Sequence, residues 1–264
     1  MSAYLQFIRL SFLGMLAYRM RYVTGILTYV VSVGVNYYLW LAAFGTGGQV
    51  INGFTADDMA TYVAVGWIAR TFYFSDIDYE IDEIVKSGAI RSYLLRPVSF
   101  QLMMYSHALG GALFRAIFFT VPVGIAVALF YPVKMPHDIG SLAMFLVATL
   151  FSFIVLAQVN LITGLLAFYL KSIQGVMQVK YYLVQLCSGL LLPISFFPPL
   201  GQKILNFMPF RFVADFPLKS YLGNYNLSEF SQLLAIDIFW TIALALIASR
   251  MWGRAVAKLT VQGG

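Results

Sequence analysis

The sequence predicts an all-α polytopic membrane protein with six transmembrane helices, on three observations. Of its 264 residues 61% are hydrophobic and 11% are charged, where an ordinary soluble domain carries roughly 25% charged residues. The mean hydropathy is +0.81. No Asp, Glu, Lys or Arg occurs between Tyr22 and Ala56 or between Ile139 and Leu170, and each stretch exceeds the ~20 apolar residues that cross a bilayer core.

The elements follow in chain order as one domain over 1–264. Residues 1–21 place Leu5, Ile8, Phe12 and Met15 at helical spacing, a stripe that suits the headgroup boundary. Arg9, Arg19 and Arg21 fall partly on the same face, so the amphipathicity is imperfect. Two arginines follow "LSFLGMLAY" where a cleaved leader needs small residues, so no cleaved signal peptide is expected and the first span directs insertion. The spans are expected at about 23–45, 58–76, 103–130, 140–169, 175–196 and 229–250. The second is short and contains Arg70. Between the last two, segment 197–227 carries Pro198, Pro199, Pro209 and Pro217, which break any single long helix into short pieces. Residues 77–100 hold the most charged stretch of the chain, "EIDEIVKSGAIRSYLLRPVS".

Orientation follows from lysine and arginine, which short cytoplasmic loops retain. With an even number of spans, Arg9, Arg19, Arg21, Lys86, Arg91, Arg96, Lys171, Lys180, Arg250, Arg254 and Lys258 share the side of both termini, against Lys134, Lys203, Arg211 and Lys219 on the other. Both termini, and the charged stretch, are therefore expected in the cytoplasm. The net charge of +6 is strung along one membrane face, which fits anionic headgroups and not nucleic acid.

Several functions are excluded. No G-x-x-x-x-G-K-[ST], H-E-x-x-H or G-x-S-x-G occurs, so no nucleotide cradle, zinc-protease helix or nucleophile elbow is present and enzymatic chemistry is not expected. His107 and His137 are too far apart in the spans to share a metal, and Cys187 is the single cysteine. Charges inside the spans are Arg70, Arg115 and Asp237, candidates by the cost of placing them there. The arginines are open to a pathway role or to snorkelling, and Asp237 to a helix partner or to water.

In the charged stretch Ile81, Ile84 and Val85 fall at helical spacing, with Asp82, Glu83 and Lys86 turned elsewhere. This predicts a short amphipathic helix ended by Ser87 and Gly88, with an oily face ready for the groove of a soluble partner. A second apolar group, Ile90, Tyr93 and Leu94, precedes Arg96-Pro97. Here "SGAIRSYLLRPVS" is similar to the G-x-I-x-x-Y-L-L-R-P signature of type 2 ABC (ABC-2) permeases, of the branch that includes viologen and multidrug exporter permeases. "FFPPLGQKILNFMPFRFVADFPLKSYLGN" and "RMWGRAVAKL" keep the family-like order along nearly the whole chain.

The resemblance implies the ABC-2 exporter fold: an N-terminal interfacial helix, a cytoplasmic coupling helix between spans two and three, and a re-entrant outer gate, the last open also to reading as a plain loop. By position Glu83, Lys86, Ser87, Gly88, Arg91 and Arg96 are the ATPase-coupling candidates, with "YLKSIQG" a smaller second contact. The expected partners are two ABC ATPase subunits, which hold the ATP and magnesium that this chain does not bind, and a second permease, identical or paralogous. Spans two and five would face the dimer axis and offer Tyr62, Trp67, Tyr73, Gln178, Tyr181, Tyr182 and Gln185 to a lipophilic, cationic or lipid-like substrate. A secondary transporter, for which an internal repeat is expected and none is found, and an importer permease are the alternatives.

Overall fold

A computed structural model of the protein describes residues 3–17, 20–45 and 50–262, without the side chains of 20–23 and 258–262. Arg19 and the side chains of Arg21 and Lys258, all counted on the basic face, lie outside the described residues. The described chain is helical, with a lone antiparallel bridge between Ile51 and Phe54. Its helices are α1 (Ala3–Ala17), α2 (Met20–Phe44), α3 (Ala56–Tyr73), α4 (Ile77–Lys86), α5 (Ile90–Leu94) and α6 (Phe100–Arg115), then α7 (Val121–Phe130), α8 (Ile139–Leu165), α9 (Gln174–Cys187), α10 (Pro199–Phe207), α11 (Asp215–Tyr221) and α12 (Leu227–Gln262).

Among the described residues, four helical stretches are long and apolar enough to cross a bilayer: Thr24–Phe44, Phe100–Phe130, Ile139–Phe168 and Leu227–Ala257. The second joins α6 to α7 through a wide π turn at Ala116–Thr120. Pro122 follows it, supplies no N–H and crowds the preceding turn, and the wider turn absorbs both effects. Helix α8 begins where Asp138 accepts from the Ser141 N–H at 2.5 Å. That backbone hydrogen bond holds the Asp138 carboxyl below the usual carboxylate range.

Two expected spans differ from these four. Helix α3 has 18 residues and carries Asp57, Asp58 and Arg70, with a capping box between Thr55 and Asp58 at its start. Helix α9 stops at Cys187 after 14 residues, about 21 Å of rise, instead of continuing to 196. The chain turns at Gly189, where φ is +88° and an added Cβ would meet Asp215 Cβ at 2.8 Å and the Tyr62 hydroxyl at 3.0 Å. Only glycine combines that backbone with that closeness. Beyond it Pro193 leads into the short pieces Ile194–Phe196, α10, Pro209–Phe212 and α11. Helix α12 is longer than the span 229–250, at 36 residues.

Glycines set the closest approaches of the small helices to the long ones. Helix α1 lies on α6 where an added Cβ on Gly110 would run into the Ile8 carbonyl oxygen. Helix α4 lies on α8 at Gly164, whose Cβ would meet Asp78 Cα and Ile81 Cβ at 3.0 Å. The oily face of α4 is thereby spent inside the chain, correcting the expectation that it seats in a partner. Ile77, Ile81 and Ile84 are buried with Met103 and Met104 of α6, Leu161 and Leu165 of α8 and Ala248 of α12. Each such isoleucine contributes about 1.5–3 kcal/mol. Phe100 stacks on Trp252 at 4.5 Å, joining the base of α6 to the end of α12.

Gly110→Ala is expected to lower the stability of the detergent-solubilised protein by about 1–3 kcal/mol through overpacking. Gly14→Ala, on the open face of α1 with nothing within 4 Å, is expected to be neutral or to stabilise by up to about 1 kcal/mol through helix propensity. Thermal unfolding of the two variants side by side checks the difference.

Candidate functional site

The C-terminal half of α3, the start of α4, the middle of α8 and the inner face of α9 enclose a cavity of about 560 Å³, within the range of small-molecule sites. The α3–α4 turn forms one wall: α3 ends at Tyr73, Phe74 is extended and α4 begins at Ile77. A break in this place leaves main-chain carbonyls without helical partners. Arg115 of α6 supplies them, donating Nε–H to Thr71 O at 3.1 Å and an Nη2 hydrogen to Phe74 O. Asn160 of α8 donates to Ser75 O at 2.7 Å and to Ser75 Oγ at 2.9 Å.

Asn160 has a second task. Its Oδ1 accepts from Lys180 Nζ at 2.6 Å, and the same ammonium meets Asp78 Oδ2 at 2.6 Å. The Asp78 side chain is 1% exposed and that of Lys180 17%. Helices α4, α8 and α9 are thus joined by one buried pair and an amide. Asp78 Oδ1 has no hydrogen-bond partner among the described residues.

Arg70, on α3, faces the same cavity. It is 9% exposed and donates to the Tyr29 hydroxyl at 2.9 Å and the Tyr181 hydroxyl at 3.2 Å. Its guanidinium sits over the rings of Trp67, Phe74 and Tyr181 at 5.3, 5.3 and 5.5 Å, an arrangement that stabilises a cation without neutralising it.

The sequence matches, over residues 12–263, the family model described as ABC-2 family transporter protein. The chain belongs to the ABC-2 transporter family. No curated protein matches it. It is accordingly a multi-pass membrane transport subunit of a family that works with ABC ATPase partners and is not itself catalytic.

In this ABC-2 permease the expected path residues divide. Tyr73, Gln178, Tyr181, Tyr182 and Gln185 line the cavity. Tyr62 does not: it is 1% exposed and its hydroxyl donates to Gly189 O at 2.7 Å, holding the turn after α9. Trp67 lies behind Arg70 as one of its ring partners. The coupling candidates lie at the surface and none lines the cavity. Glu83, Lys86, Ser87, Gly88, Arg91 and Arg96 are all exposed. Lys86 pairs with Asp82 at 2.6 Å, the Ser87 hydroxyl donates to Glu83 O at 2.7 Å and Gly88 turns the chain at φ +72°. Arg96 covers the Tyr93 ring at 4.6 Å, and Leu95 beside it is 86% exposed.

The three intramembrane charges also separate. Arg115 is a backbone cap and Arg70 a cavity wall. Asp237 is fully buried on α12, and neither of its carboxylate oxygens has a hydrogen-bond partner among the described residues. His107 binds Glu80 Oε2 at 3.0 Å, tying α6 to α4, and no cluster of metal-ligating side chains occurs among the described residues. Sequence reasoning missed Asp78 and Asn160, and it counted Lys180 only as a surface charge. The signals were present: an amide in the middle of the apolar run 140–169, and a lysine several residues inside an expected span.

Lys180→Met leaves Asp78 buried and unpaired and is expected to destabilise the protein by about 3–5 kcal/mol. Adding Asp78→Asn is expected to recover most of that loss, because both charges are then gone. A double-mutant cycle on unfolding midpoints checks it.

Proposed function

We propose that this chain is the membrane-spanning subunit of an ATP-driven exporter of a lipophilic or lipid-like small molecule. The observation that carries the proposal is that one helix serves both faces of the machine. At its start α4 gives Asp78 to the cavity wall, and one to two turns later it presents Glu83 and Lys86 to solvent. A partner that grips the exposed end moves the wall directly, with no intervening element.

Several features support the rest of the reading. The chain crosses the membrane six times, α3 passing as a shorter helix buried among its neighbours and α9 as a shorter helix with one face on the cavity, with both termini and the loop 77–100 in the cytoplasmic compartment and α1 lying at that interface. The pieces from 194 to 221 re-enter the outer leaflet as a gate. Their backbone is held from inside by the Ser152 hydroxyl on Phe212 O at 3.1 Å and by Asp215 Oδ1, which accepts from Ile194 N–H at 3.1 Å. Irregular backbone at membrane depth needs such partners. Two ATPase subunits hold ATP and magnesium, and a second permease, identical or paralogous, closes the path along α3 and α9. The "GAIRSYLLRP" stretch favours the viologen and multidrug branch. Nucleotide binding draws the ATPases together and shifts the pair of permeases between inward-open and outward-open states.

Co-expression with a cognate ABC ATPase is expected to yield a stable complex whose ATPase activity rises with transport. Glu83→Ala and Arg91→Ala are expected to weaken that coupling about tenfold, the effect of ~1.4 kcal/mol of docking free energy, without changing membrane insertion. A cysteine at Ser92 in a Cys187→Ala background is expected to react only with reagent supplied from the cytoplasmic side. Transport without ATP, or labelling of position 92 from outside, defeats the proposal.

A further inference from the structure

We infer that the cavity receives an amphiphilic anion, an oxyanion head on an apolar body, with Arg70 as the ligand of the head. The inference rests on the reading of this cavity as the transport path and specifies the substrate class within it.

Four charged side chains line the cavity: Arg70, Asp76, Asp78 and Lys180. They cancel formally but not in space. Asp78 and Lys180 neutralise each other at 2.6 Å. Asp76 is exposed at the rim formed by the α3–α4 turn and has interactions of its own. Arg70 is nine-tenths buried, and no carboxylate lies within ion-pair distance of it among the described residues. Its partners are two phenol hydroxyls and three rings, none of which carries a negative charge. A planar guanidinium in this state is matched by a carboxylate, phosphate or sulfate, which it binds through parallel N–H groups.

Two further observations point the same way. The hydroxyl of Tyr73, a residue 3% exposed on the cavity wall, has no hydrogen-bond partner among the described residues and is a second donor for the same oxygens. The aromatic faces nearest the head-group position, those of Trp67, Phe74 and Tyr181, are already taken by Arg70 itself. A second cation there would meet like charge in a low dielectric. The remaining wall, including Leu156, Met177, Val184 and Leu190, suits an apolar body.

The test uses the purified complex and three probes, each carrying a diazirine in its alkyl chain: lauryl phosphate, lauryl trimethylammonium and phosphatidic acid. Lauryl phosphate is expected to label α9 and to bind at least about tenfold more tightly than the ammonium. Arg70→Gln is expected to remove most of that preference, and Arg70→Lys to keep part of it. Should Arg70→Gln fail to fold, the exposed Gln178 at the cavity wall decides: Gln178→Lys is expected to tighten lauryl phosphate and Gln178→Glu to weaken it. Phosphatidic acid displacing lauryl phosphate identifies a membrane lipid as the source of the anion, and its failure to do so identifies a soluble acid. Equal or tighter binding of the ammonium overturns the inference while leaving the path in place, as does indifference of lauryl phosphate to the charge at positions 70 and 178. Absence of labelling in the cavity by every probe defeats the path itself.

Discussion

A break in a helix within an apolar slab leaves carbonyls and amides that water does not reach, and the rest of this structure depends on how those groups are closed. The end of α3 is sealed by Arg115 from α6 and the turn that follows by Asn160 from α8. The end of α9 is sealed by Tyr62 from α3, on Gly189 O, and Asp215 N–H donates to Ser188 O at 2.8 Å. Each seal comes from an element distant in sequence, so every break is fixed to another part of the fold. The cavity lies between two of these breaks because breaks turn polar atoms and wide angles inward, which continuous apolar helices do not.

The seat of α4 follows from that arrangement. Gly164 lets α4 approach α8 closely enough for Asp78 to reach Lys180. A buried pair of this kind contributes little net stability, because desolvation offsets most of the Coulomb attraction. It contributes position: with Asn160 on the same ammonium, α4 has one place in which both charges are satisfied, and a displaced α4 leaves two ions exposed to a low dielectric.

The same physics sets what was legible in the sequence. The long spans were, since charge-free runs report the bilayer directly, and so was the Ser87–Gly88 stop of α4. The face that α4 buries was not. Ile77, Ile81 and Ile84 at helical spacing specify an oily stripe, and nothing in that spacing says whether its cover is another chain or α8. The end of α9 was hidden for a related reason, because Leu190, Leu191 and Leu192 continue the apolar run past the turn that Gly189 makes. Five of the seven path candidates line one cavity, since they share the face of α9 or the last turn of α3. Tyr62 does not, because its nearest orphan acceptor is a carbonyl 127 residues away in sequence.

Arg70 and Arg115 look alike in the sequence, and the acceptors within reach separate them. Arg115 meets main-chain carbonyls, whose dipoles aim at its donors, and becomes part of the scaffold. Arg70 meets hydroxyls and ring faces and keeps its charge turned to the cavity. The distinction bears on how force passes through the molecule. Because Asp78, Asn160 and Lys180 bind α4, α8 and α9 together, sliding α4 alone would separate a buried ion pair at a cost of several kcal/mol. This unit meets Arg70 on α3 at the cavity, through the Tyr181 hydroxyl that α9 holds against the guanidinium at 3.2 Å.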